Sequence, residues 1–113
     1  MEKQFRVTVK IDRPIGSRHP KYPELIYPIN YGYVEGVMGG DGMEQDAYVI
    51  GVDYAISSFS GVVVAIIHRR NDVEDKWVVA PTGSVFSKSE IADLVNFQEK
   101  YFDSEIILLN QER

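Results

Sequence analysis

Cysteine is absent from the 113-residue chain, which excludes disulfides and thiolate-bound metals. Long apolar runs are missing too: none approaches the roughly 18–20 residues that a membrane-spanning helix requires. The opening Met1-Glu2-Lys3-Gln4-Phe5 runs straight into a strand-like pattern without the apolar core of a secretory signal. These absences predict a cytoplasmic protein with no membrane partner. Histidine is scarce, and neither His19 nor His68 has a second histidine at ligand spacing, so both are expected to be structural. Lys and Arg number 12 against 17 Asp and Glu, a net charge of −5. A nucleic-acid binder would normally show a basic surface, so no nucleic-acid partner is expected. A small anionic substrate is not excluded, because a metal ion held among carboxylates reverses the local sign. No internal repeat, linker or low-complexity stretch is present. The glycine-rich turn near residue 40 lacks the spacing of a P-loop or a dinucleotide fingerprint.

What is present is an ordinary globular composition, 44% hydrophobic and 26% charged. Length predicts a single domain over residues 1–113 with one modest core. Residues 4–11, Gln-Phe-Arg-Val-Thr-Val-Lys-Ile, alternate with period two, placing Phe5, Val7, Val9 and Ile11 on one face of a strand. The loop 12–20 that follows holds three breakers and collects anion-binding groups: two arginines, a serine and a histidine. Pro23 and Pro28 frame a short extended piece, 24–27. Tyr31 to Val37 predicts a strand, Gly39 to Gln45 an acidic turn, and Asp46 to Val52 another strand. In that last strand Asp46, Tyr48 and Ile50 share one face, with Ala47, Val49 and Gly51 on the other.

The β-branched run 61–69 predicts a central strand, residues 69–76 a charged turn, and Trp77 to Ala80 a strand stopped by Pro81. Ser87-Lys88-Ser89-Glu90 has the capping-box pattern that starts a helix. Ile91, Leu94, Val95, Gln98 and Phe102 then give that helix a core-facing stripe. Ser104 to Leu109 closes the chain as a strand. Five to seven short strands and one C-terminal helix predict a mainly β (α+β) fold, a small OB-type five-stranded barrel with the helix packed on it.

Two acidic turns carry the candidate chemistry: Asp41, Glu44 and Asp46 in the first, Asp72, Glu74 and Asp75 in the second. Lys76 sits in the second turn, and Lys10, Arg13, Arg18 and Lys21 lie in the first third of the chain. Loops at one end of a small barrel can converge, bringing carboxylates around a shared cation and cationic side chains towards phosphate. That arrangement suits phosphoryl transfer. Acidic turns are more often solvated hairpin tips, however, and Lys76, Arg69 and Arg70 taken singly read as solvated strand-end charges. On the residues alone both readings stand.

Tyr27-Pro28-Ile29-Asn30-Tyr31-Gly32-Tyr33-Val34, followed by Gly40-Asp41-Gly42 and Asp46, resembles the signature of soluble family I inorganic pyrophosphatases. That signature is a Y-P-x-N-Y-G-Y strand leading to a D-G-D-P-x-D turn. Glu74-Asp75-Lys76 and the apolar run to Pro81 resemble the family's D-x-K element, and Phe97 to Phe102 its F-x-E-x-Y-K element. The likeness spans residues 26 to 102 in order. It implies an OB-type barrel, a Mg²⁺ cofactor (Mn²⁺ as a substitute) and hydrolysis of pyrophosphate or a related small phosphorylated substrate. Residue by residue it implies Asp41, Asp46 and Glu74 as metal ligands with Asp72 as a further candidate. Asp41, Asp46 and Glu44 become the catalytic set, and Lys76, Tyr31 and Tyr101 the phosphate contacts. Arg13 or Arg18 stands for its phosphate-binding arginine, and Lys10-Ile11-Asp12 for a compressed K-x-E element.

Two departures bear on catalysis. Met43 stands where the family has its middle aspartate, and a thioether neither ligates Mg²⁺ well nor takes a proton. Glu44 is adjacent, but neighbouring side chains on a strand point to opposite faces. Phe102 replaces the lysine after Tyr101. The sequence therefore carries two expectations: a Mg²⁺-dependent diphosphatase, or a catalytically impaired domain of the same type that binds a metal, a phosphorylated ligand or a protein partner. The apolar strand content leaves homo-oligomerisation open.

Overall fold

The structure is a computed structural model that describes residues 5–72 and 74–109. Its elements run β1 (Arg6–Arg13), β2 (Asn30–Met38), β3 (Glu44–Val49), β4 (Ser58–Arg69), β5 (Asp75–Ala80), α1 (Lys88–Glu99) and β6 (Ser104–Leu108). The order across the sheet is β1-β2-β3-β5-β4-β6, and β1 also pairs with β4. That extra pairing closes β1, β2, β3, β5 and β4 into a barrel and leaves β6 as an added strand on β4. All pairings are antiparallel except β3 with β5, where Ala47, Tyr48 and Val49 run parallel to Trp77, Val78 and Val79.

Closure depends on bending. The ladder slips between Ile11 and Arg13, between Val34 and Met38, and between Val63 and Ala65, each a bulge that turns a strand round the barrel. Gly32 pairs with Ile11, and a Cβ there would run into the Lys10 carbonyl. Only glycine lets β1 and β2 approach so closely.

Because the barrel is closed and covered, its middle strands bury both faces. Ala47 and Val49 point with Val9, Val34, Val63 and Val79 into one cluster. Tyr48 points with Tyr31, Ile67 and Val78 into a second, which α1 covers through Ile91 and Val95. The two faces read from the β3 alternation are the two faces observed. Burying Ile91 and Val95 stabilises the docking by about 1.5–3 kcal/mol each, so Ile91→Ala would loosen the helix first.

Helix α1 starts as its capping box predicts: Glu90 N donates to Ser87 Oγ at 3.0 Å, and Ser87 N donates to Glu90 Oε1 at 2.7 Å. It ends at Glu99, so Phe102 is not part of its stripe but lies in the turn beyond. The 24–27 piece contributes one bridge, Arg18 with Ile26. No helix among the described residues is long and apolar enough to cross a membrane.

Candidate functional site

The acidic turn between β2 and β3 is tight. Gly39 N donates to Met43 O at 2.7 Å, Met43 N donates to Asp41 Oδ1 at 3.0 Å, and Gly42 supplies the positive φ of +83°. This leaves Met43 at the tip, 68% exposed. Glu44 accepts from Gly36 N at 3.4 Å across the hairpin. Neither lines the cleft described below.

The β3–β5 parallel pairing sets the two acidic turns side by side. Lys76, buried at the start of β5, directs its ammonium at Asp46 Oδ2, 2.6 Å away, and also at Glu74 Oε1. The Tyr31 hydroxyl donates to the same Asp46 oxygen at 2.9 Å. Burial, reinforced by Asp46, keeps the Tyr31 phenol well above its ordinary pKa, so it stays a donor. Lys76 Nζ also lies 5.7 Å from the Tyr31 ring centre. The expectation that Lys76 is a solvated strand-end charge is therefore corrected: two carboxylates and a ring enclose it.

Asp41 reaches Glu74 through a side-chain hydrogen bond. Burial, and then this bond, raises the Glu74 pKa, whereas the bond from Glu74 lowers that of Asp41. Two carboxylates thus bond the ammonium, and a third, Asp41, bonds one of them.

Beside Lys76 a cleft of about 660 Å³ opens over the outer face of the barrel. Its polar lining comprises Arg13, Arg69, Lys76 and Lys100 against Asp46 and Glu24. Two of these cations are paired, Arg69 with Glu99 and Lys76 with Asp46 and Glu74. Tyr31 and Tyr101 also line it, Tyr101 being 67% exposed. Arg13 donates to the Tyr27 hydroxyl at 2.7 Å and stands 5.5 Å from the Tyr31 ring centre.

Under the cleft floor runs a continuous hydrogen-bond chain. Tyr27 donates to Gln98 at 2.7 Å, Gln98 to Tyr48 at 2.8 Å, and Tyr48 to Glu99 at 2.6 Å. Arg69 closes it with two bonds to Glu99, 3.1 and 2.7 Å, and Ser104 adds a third donor at 2.7 Å. The Arg69 guanidinium also sits 3.6 Å over the Phe102 ring. Burial opposes the Glu99 charge, but the bonds from Arg69, Tyr48 and Ser104 outweigh it and lower its pKa. Arg69 is therefore not a solvated strand-end charge; Glu99 and Phe102 cover it. Arg70, by contrast, is exposed and pairs with Asp103 at 2.6 Å.

Of the residues singled out from sequence, Arg13, Tyr31, Asp46, Lys76 and Tyr101 meet in the cleft, with Asp41 and Glu74 behind Lys76. Lys10 is exposed on β1, Arg18 donates to the Pro23 carbonyl at 2.8 Å, and Asp72 pairs with Arg69 at 3.6 Å. None of these three lines the cleft. Lys100, Arg69 and the wall of His19, Tyr22, Glu24 and Leu25 were not anticipated. Lys100 falls inside the Phe97–Phe102 element, and the 12–20 loop was conspicuous for its cations. Tyr22, Glu24 and Leu25 carried no signal.

As the side chains stand, no three acidic or histidine side chains among the described residues are grouped to hold a metal ion. The donor chemistry nevertheless suits a hard cation. Asp41, Glu74 and Asp46 offer carboxylate oxygens, the donor type hard cations take, and the Asp41–Glu74 contact needs either a proton or a cation between its carboxylates.

A covered, closed β-barrel with a cationic cleft on its outer face defines the class of fold. No family model matches the chain, and no curated protein matches its sequence. Its architecture is that of the inorganic pyrophosphatases. The enzyme from Ehrlichia chaffeensis superposes with a TM-score of 0.68 at 18% identity, over 93% of this chain and 86% of that one. The Neisseria gonorrhoeae enzyme gives 0.65 at 17% identity, over 85% and 73%. The Helicobacter pylori enzyme gives 0.62 at 18% identity, over 97% and 85%. The fold expected from the sequence is thus the fold found.

Proposed function

We propose that the chain hydrolyses pyrophosphate, or a related small phosphoanhydride, in the cleft at Lys76, with Mg²⁺ as cofactor and Mn²⁺ as a substitute. The observation that carries this is the convergence of Lys76, Tyr31 and Asp46 on one point of a cationic cleft, beside the touching Asp41–Glu74 pair. Asp41, Glu74 and Asp46 would hold the cation, which supplies Lewis-acid charge stabilisation and lowers the pKa of a bound water. Arg13, Lys76 and Lys100 neutralise the phosphate oxygens, and Tyr31 offers a hydroxyl that stays protonated. Arg13 is held in place by Tyr27, whose hydroxyl is fixed by Gln98. Asp46 is the carboxylate best placed to accept a proton at the cleft wall. The test is phosphate release from pyrophosphate with and without Mg²⁺. No release in Mg²⁺ or Mn²⁺ at high protein concentration overturns the proposal.

One observation favours a second reading, a domain that binds its ligand without turning it over. Met43 points to solvent and Glu44 turns to Gly36, so neither stands in for the middle aspartate of the family signature. Calorimetry then registers binding of Mg²⁺ or pyrophosphate by a protein that releases no phosphate. Rapid turnover by the unaltered chain rules this out.

A further inference from the structure

The cleft offers more room than a bare diphosphate fills, and one part of its lining is aromatic and apolar. At about 660 Å³ it falls in the range of about 300–1,000 Å³ that takes organic ligands. Arg13 and Lys76 both stand by the Tyr31 ring, 5.5 and 5.7 Å from its centre. The 12–27 loop contributes His19, Tyr22, Glu24 and Leu25 to the lining of the same cleft. The rings of His19 and Tyr22 are 5.0 Å apart, and His19 lies nearly parallel to Tyr27 at 6.4 Å.

His19 is fixed. Its Nδ1 accepts from the backbone N–H of Lys21 at 3.0 Å and of Tyr22 at 3.3 Å. The neutral ring therefore carries its proton on Nε2. Tyr22 is 57% exposed, so its ring remains available to stack. Glu24 would repel phosphate but can accept a hydrogen bond from an amino or hydroxyl group. An exposed aromatic ring beside a fixed one, tilted 43° to it, with an apolar leucine, an acceptor carboxylate and the cations Arg13 and Lys76, matches one ligand class.

We infer that the cleft takes a nucleoside phosphoanhydride. Its phosphates lie at Arg13 and Lys76, and its base lies on the ring of Tyr22 beside His19. This rests on the cleft being a phosphoanhydride site, as proposed above. Hydrolysis adds water across one P–O–P link. One phosphoryl group takes the hydroxyl oxygen, the other leaves with the bridging oxygen, and no oxidant or other co-reactant is consumed.

The experiment compares kcat/KM for pyrophosphate with that for ADP and ATP in Mg²⁺, in the unaltered chain, Tyr22→Ala and Tyr22→Phe. Stacking of a base on one aromatic ring is worth about tenfold or more in affinity. Tyr22→Ala should therefore lower the ratio of nucleotide to pyrophosphate kcat/KM about tenfold, and Tyr22→Phe should restore it. Turnover of pyrophosphate but not of either nucleotide overturns this inference and leaves the proposed function standing. A ratio unmoved by Tyr22→Ala overturns it as well. If no substrate is hydrolysed, the proposed function fails, and NMR titration with ADP decides the inference by itself. Shifts of the Tyr22 and His19 ring signals support it, and their absence sinks it.

Discussion

Two charged clusters border the cleft from the adjacent strands β4 and β5, and they are built on different principles. Around Glu99 one carboxylate meets one guanidinium, and two hydroxyls complete its shell. Around Lys76 two carboxylates meet one ammonium, and a third, Asp41, bonds Glu74. The first is balanced: its carboxylate is driven to ionise by the donors around it. The second is overfilled with carboxylates, and burial, then Asp41, raises the pKa of Glu74. A balanced buried pair holds a fold, whereas under the proposed function the surplus carboxylates would take a cation. On that reading the same residue types serve architecture in one cluster and chemistry in the other.

The largest expected effect falls on the balanced side. Glu99→Ala strands Arg69, Tyr48 and Ser104 in the interior. Removing one partner of a buried pair costs about 3–5 kcal/mol, a large share of the stability of a domain this size. Urea unfolding should show the loss as a lower midpoint with the slope unchanged. A loss under about 1 kcal/mol would mean that the chain from Tyr27 to Arg69 is ornamental to the fold.

Lys76→Met is next and strikes function. Under the proposed hydrolysis it removes a preorganised cation from the developing phosphate charge, a loss of about 10²–10³-fold in kcat. Phosphate release measured beside the unfolding midpoint separates the two roles. An unaffected kcat would return Lys76 to a purely structural part.

Glu74→Gln should move stability in the opposite direction to Glu99→Ala. The folded state raises the Glu74 pKa, so its contribution is present below the unfolded value, near 4.5, and is lost as pH rises through the folded value. At neutral pH without metal it opposes folding, and the amide should raise the melting temperature. Glu99 has the opposite sign. Its pKa is lowered, so its contribution is present above about 4.5 and lost as pH falls through the folded value. Stability should therefore rise slightly as pH falls through the folded value of Glu74 towards about 4.5, then collapse in stronger acid. Glu74→Gln should flatten the first slope and leave the second. Saturating Mg²⁺ should stabilise the unaltered chain by about 2.7 kcal/mol at a hundredfold excess over its Kd, and the Glu74→Gln variant by less.

The contrast also explains what could be read from the sequence. Local patterns were legible: the β1 alternation, the two faces of β3, and the Ser87–Glu90 capping box each depend on residues within one turn or strand. The overfilled cluster was half legible, because Asp41 and Asp46 share one turn and Glu74 and Lys76 another. Their meeting depends on the parallel β3–β5 pairing, a contact some thirty residues apart that no local pattern encodes. The balanced cluster was misread for the same reason. Arg69 sits in a run of charges, 69–76, and nothing nearby reveals that Glu99 waits at the far end of α1. The pairing of His19 and Tyr22 with Lys76 in one cleft was illegible because the residues lie more than fifty positions apart.

The smallest expected effect is at Met43. Its side chain is 68% exposed at the tip of a turn that Asp41 and Gly42 fix through the backbone. Met43→Asp should therefore leave stability within about 0.5 kcal/mol. Its effect on turnover discriminates between the two functional readings. If the overfilled cluster already suffices for hydrolysis, a fourth carboxylate at the tip changes kcat by little more than the scatter between preparations. If the chain only binds, the same substitution supplies a missing base and ligand, and phosphate release should emerge from background. Because the substitution leaves the fold alone, any gain reports on the cluster itself. A gain would place the chemical deficit at one exposed side chain; no gain from an inactive parent would place it in the carboxylates that already crowd Lys76.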